Sequence, residues 1–177
     1  MAVLPVRYRW LLQEPGPKLL QVALADYGVT EKQGAGSNPI ILQWAQELGI
    51  ASYTSDGTPW CGLAMAHWVQ RAGFEPVAGP LRARNWASFG TRSPQAMLGD
   101  VLVFERGGAG HVGIYLAENG EDFLHVAGNV GDCVAISPIE KSRLIAVRRC
   151  PWRVAQPANV RPIRLASLDG ARSTNEA

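Results

Sequence analysis

Three places in the chain put reactive residue types in settings that suit acyl-transfer chemistry: Cys61 after Thr58-Pro59-Trp60, His111 after Gly107-Gly108-Ala109-Gly110, and the pair His125 and Asn129. Cys61 falls in the first turn of an expected helix that begins near Trp60 and runs to Ala72. Backbone N–H groups there have no intrahelical partner, and the positive end of the helix dipole favours a thiolate and a lowered pKa. The same N–H groups can receive the oxyanion of a tetrahedral intermediate. A cysteine under a helix is also a common core residue, so the chemistry depends on a base.

Only three histidines can supply one. His67 lies six residues after Cys61 on the same expected helix, turned about 240° away from it, and is expected on the surface or rim. His111 opens a strand. The glycines before it let the strand start approach a helix end, and Gly113 leaves space on the same face. An orienting group for the second ring nitrogen should come from the next strand. His125 and Asn129 both qualify, and a hairpin turning at Asn119-Gly120 puts Asn129 closer to His111 in an antiparallel register.

Elements must hold these residues together. Helices are expected over Pro15–Tyr27, with Leu19, Leu20, Ala23 and Leu24 in one stripe, and from Asn38 (N-cap) and Pro39 to a stop at Gly49. Two helical turns are expected around Arg82–Ser88. After Gly99 the period changes to short β-type runs at 100–104, 111–116, 123–126, 134–136 and 144–147. Helices first and a meandering antiparallel sheet second is an α+β order. The expected division is an N-terminal extension (1–14), one domain (15–152) and a tail (153–177).

Composition narrows the options. Of 177 residues, 47% are hydrophobic and 18% charged, which suits a packed core and argues against global disorder. A net charge of +2 is too small to suggest nucleic acid. No apolar run approaches the length of a membrane span, and Cys61, Cys133 and Cys150 are too few and too scattered for a disulfide framework. No metal-ligand spacing or phosphate-binding loop is present, so no metal and no cofactor are expected, and no nucleic-acid or membrane partner.

Taken together, Thr58-Pro59-Trp60-Cys61, Gly110-His111-Val112-Gly113-Ile114-Tyr115 and a polar residue on the next strand resemble the NlpC-type and CHAP-type papain-like cysteine peptidases. The closest likeness is to a phage- and prophage-associated subgroup. It shares the Ala83-Arg84-Asn85-Trp86 segment, the Gly-Asp-Val-Leu-Val-Phe strand, a Gly-Asn turn and Lys141-Ser142-Arg143-Leu144. The resemblance covers about residues 10–152. It implies a papain-like fold with a helix-borne nucleophile packed on an antiparallel sheet, and cleavage of amide bonds in peptidoglycan peptides. By position it makes Cys61 the nucleophile, His111 the base and Asn129 the third member. His125, in its Phe-x-His frame, instead matches the third histidine of the NlpC type. Trp60 and Gly62 stand where the common NlpC box has Asp and Ser.

Trp60, Trp86 and Tyr53 are expected to line a substrate cleft beside Cys61, and Asp56 and Arg84 to meet charged ends of a peptide. The start of the chain is broken by Pro5, Arg7 and Arg9 before any signal-peptide core forms. The expectation is therefore cytoplasmic synthesis, with action on the cell wall after release or delivery. The alternative is a catalytically inert wall-binding or phage structural module of the same fold.

Overall fold

Each helix starts and stops where its sequence supplies the means. The computed structural model describes residues 3–152 and 155–168. Helix α1 (Lys18–Ala25) buries the expected stripe of Leu19, Leu20, Ala23 and Leu24. Helix α2 (Pro39–Glu47) is capped by the Asn38 side chain, which accepts from the Ile40 N–H at 2.8 Å, and Gly49 closes it at φ +69°. Helix α3 (Cys61–Arg71) buries every residue from Cys61 to Val69, so it forms the centre of the molecule rather than a surface. A 3₁₀ segment follows at Ala83–Ser88, where two helical turns were expected.

Six strands make one antiparallel sheet: β1 (Thr91–Arg92), β2 (Val101–Arg106), β3 (Ala109–Glu118), β4 (Asp122–Ala127), β5 (Ala135–Glu140) and β6 (Leu144–Arg149), in the order β1-β6-β2-β3-β4-β5. This is the expected α+β architecture. The short β1 was not expected. Gly107 and Gly108 turn the β2–β3 hairpin at φ +46° and +82°, the backbone that a two-residue turn of this hand requires.

Alternation along the strands gives the sheet two faces. Val101, Val103, Val112, Ile114 and Val126 join the helices in the main core. Leu102, Phe104, Tyr115, Phe123 and Ile139 form a second cluster on the other face.

Described segments near both ends of the chain pack onto this fold. The N-terminal extension carries a 3₁₀ helix, Val6–Gln13, which buries Tyr8 and Leu11, with Leu4 buried just before it. The described part of the expected tail straps the far end of β3: the Glu118 N–H donates to the Ile163 carbonyl at 2.8 Å, and the Leu165 N–H to the Glu118 carbonyl at 2.9 Å. Arg161 and Glu14 tie the two ends together at 3.0 Å. Ile163 and Leu165 also pack against the main core.

Candidate active site

Cys61 opens α3, as the sequence suggests. The β3–β4 ladder stops at Ile114 and Val126. Beyond that point the chain after β4 packs against the start of α3. Gly128 permits this: a Cβ there would stand 2.6 Å from the Ala64 Cβ and 2.8 Å from the Trp60 ring. The Tyr115 N–H is used toward β2, by Asp100, so strand alternation turns the Val112 N–H toward the β4 side. That N–H is near enough to Cys61 to favour its thiolate form.

His111 lies on β3 opposite Phe104 of β2, with the two rings 6.4 Å apart. Continuing the β3–β4 register would set Asn129 across from His111, but β4 ends at Ala127 and Asn129 sits in a turn at φ +55°. His125 reaches His111 on a diagonal. Gly113 makes room for it, since a Cβ there would stand 2.5 Å from His125 Cδ2. The His111 and His125 Nε2 atoms are 3.0 Å apart, and His125 Nδ1 is 2.8 Å from the Ser137 carbonyl.

That chain of contacts fixes the tautomers. A carbonyl only accepts, so His125 carries its proton on Nδ1 and offers an Nε2 lone pair. His111 must then donate from Nε2, which leaves its Nδ1 as the basic nitrogen.

Burial sets the electrostatics. His111 and His125 are fully buried, and Cys61 is 4% exposed. Desolvation pushes the His111 pKa well below the ordinary imidazole value, helped by His125, Arg106 and Arg143. Burial likewise takes His125 down to about 3. For Cys61 the sequence expectation is reversed. Desolvation raises its pKa, although the N–H groups of Val112, Gly62 and Cys61 and the charge of Arg106 all pull it down. Cys61 therefore rests as a neutral thiol and His111 as a neutral imidazole.

Arg106 and Arg143 were missed by sequence reasoning. Arg106 ends β2 on the same face as Phe104, and the Arg143 Nε donates to the Glu105 carbonyl at 3.0 Å. Hairpin closure through Gly107-Gly108 was the available signal for Arg106, because it sets that side chain two residues from the partner of His111.

The expected cleft aromatics are core instead. Trp60 and Trp86 are fully buried, their indole N–H groups donating to Glu31 at 2.6 Å and to the Pro80 carbonyl at 2.9 Å. Tyr53 is buried with its hydroxyl on the Thr58 carbonyl at 2.9 Å. Asp56 is structural too, accepting the N–H groups of Asn38 and Lys32 at 2.7 and 2.9 Å. His67 is buried rather than on the rim, stacked on Trp44 at 4.8 Å between Asp26 and Glu47. Large rings gain more from the core around α3 than they could at a wet cleft.

The cleft that does reach Cys61 has a volume of about 410 Å³ and is walled by Pro59, by residues 81–85 and by Ala109 and Gly110. Gly62 brings its wall close: a Cβ there would stand 2.4 Å from the Pro80 carbonyl oxygen and 2.6 Å from that of Leu81. Arg84, expected near a substrate, lines this cleft. Among the described residues no cluster of His, Cys, Asp and Glu is arranged to hold a metal, and no helix is long and apolar enough to cross a membrane.

No protein-family model matches the chain, and no curated protein matches it. Among solved structures it is similar to a Staphylococcus aureus subsp. aureus Mu50 protein described as similar to lipoprotein, NLP/P60 family. The two are 20% identical with a TM-score of 0.45, over 77% of this chain and 41% of that one. The chain spans about two fifths of the length of that neighbour.

Proposed function

We propose that this chain is a cysteine peptidase or amidase that hydrolyses amide bonds of peptidoglycan peptides through a thioester on Cys61. The observation that carries the reading is the cleft shared by Cys61 and by Ala109 and Gly110, the residues just before an imidazole whose tautomer is set by His125. The motif likeness to NlpC-type and CHAP-type peptidases supplies the substrate class.

In this reading His111 Nδ1 takes the thiol proton as Cys61 attacks the carbonyl carbon, and N–H groups at the α3 start receive the oxyanion. The imidazolium returns the proton to the leaving amine, and water, deprotonated by His111, then clears the thioester. Moving one proton from sulfur to nitrogen during attack suits a pair that rests neutral. His125 is the orienting residue on the strength of its 3.0 Å contact, in preference to Asn129.

Digestion of purified sacculi tests the proposal. The parent should release new amine and carboxylate ends, and Cys61→Ala should release none while melting as a folded protein. Equal digestion by both would overturn it. Failure of the parent to digest any sacculus would favour the inert module.

A further inference from the structure

We infer that the cleft beside Cys61 reads a carboxylate on the substrate peptide, with Arg84 as the reader. The inference rests on the proposal that Cys61 attacks that peptide, and it adds a determinant of which peptide is taken.

Arg84 is built into the cleft rather than waving over it. Its Nε donates to the Ala109 carbonyl at 2.7 Å, which anchors the guanidinium at the start of the strand that carries His111. Its stem lies across Gly110, where a Cβ would stand 2.8 Å from the Arg84 Cγ. The glycine before His111 therefore clears space for this arginine, not for α3. The backbone of the same segment is pinned at its other end, since the Pro80 and Leu81 carbonyls lie against Gly62 in the first turn of α3. Nucleophile, strand start and guanidinium thus share one wall.

The charge of the cleft has one sign. Arg82 and Arg84 line it, and none of its lining residues is acidic. Glu105, just outside, takes one Arg84 N–H at 2.8 Å. Both partners of this contact are about half exposed, so it is weak and exchangeable. A substrate carboxylate entering the cleft replaces it with a similar geometry in a less hydrated place. Arginine suits the task because its planar fork meets a carboxylate through two parallel hydrogen bonds. The ligand class is a peptide with a free carboxylate near the scissile amide.

The test uses one synthetic stem peptide in two forms, with that carboxylate free and with it amidated. The parent should cleave the free acid with a kcat/KM about tenfold to a hundredfold higher, as expected for a charge-assisted pair. Arg84→Gln should erase the preference by raising KM for the acid and not for the amide. Glu105→Gln, which removes the competitor, should lower KM for the acid. A merely structural Arg84 would move both peptides alike. Binding of both forms to folded Cys61→Ala protein separates the two levels of the argument. Equal binding, or equal cleavage by the parent, overturns the carboxylate subsite while the thiol mechanism stands. Preferential binding of the acid with no cleavage by the parent overturns the hydrolase and keeps the subsite.

Discussion

Replacing His125 with alanine removes the acceptor that fixes the His111 tautomer, and the structure sets the size of the effect. The lost contact is a 3.0 Å hydrogen bond between two fully buried rings. Such a neutral bond has a net worth of about 1 kcal/mol, and a His111 N–H left buried without an acceptor adds about 1–3 kcal/mol. The emptied space over Gly113 adds a cavity term, for a total loss of stability of about 3–5 kcal/mol. Catalysis should suffer more than folding. An imidazole without its partner loses both aim and tautomer, and general-base assistance is worth about 10²–10⁴-fold. The expected fall in kcat/KM is therefore at least about 10²-fold, measured by release of amine ends at a temperature where the variant is folded. Asn129→Gly, which keeps the left-handed backbone, should lose less than about tenfold by the same comparison. Gly113→Ala should act through His125, since its Cβ would stand 2.5 Å from that ring, so its loss of activity should not add to that of His125→Ala. An inactive Asn129→Gly beside a near-parental His125→Ala would refute the reasoning and return the orienting role to Asn129.

Three further outcomes follow from named contacts. Burial outweighs the pull of Glu47 and takes His67 down to about 4 from 6.5, so the unfolded chain binds the proton first and stability falls as pH drops from 6.5. By pH of about 5 the loss from this group is about 2 kcal/mol, and thermal melts of His67→Phe should show a shallower slope than the parent over that window. Gly62→Ala should destabilise by about 1–3 kcal/mol in urea melts, because its Cβ would meet two backbone oxygens that cannot rotate away. Arg106→Gln should slow alkylation of Cys61 by iodoacetamide near neutral pH, because the arginine charge opposes the burial that raises the thiol pKa; an unchanged rate would discount that charge.

What could be read from the sequence was local. Asn38-Pro39, Gly49 and Gly73 announce helix ends through their own backbone preferences, and Cys61 and His111 announce themselves by what precedes them. What could not be read depends on distant chain. The helix start that favours a thiolate is visible at Thr58-Pro59-Trp60-Cys61, but the burial that wins over it exists only in the folded chain. Register reasoning placed Asn129 opposite His111, consistent with the ladder at Ile114 and Val126. It could not show that the His125 side chain crosses the bare Gly113 to lie 3.0 Å from His111. Trp60, Trp86 and Tyr53 were read as cleft walls because they neighbour motifs in sequence, while their polar atoms find buried acceptors in the fold. The C-terminal segment was expected as a tail, and its parallel bridge between Glu118 and Arg164 joins residues too far apart for any local pattern to signal.

Acid-quenched mass spectrometry during turnover of peptidoglycan fragments tests the covalent step itself. The account predicts a transient mass addition equal to the acyl half of the fragment, mapped to the peptide that contains Cys61 and sensitive to hydroxylamine. Continued release of new amine ends by the Cys61→Ala protein, with no such adduct on the parent, would contradict it.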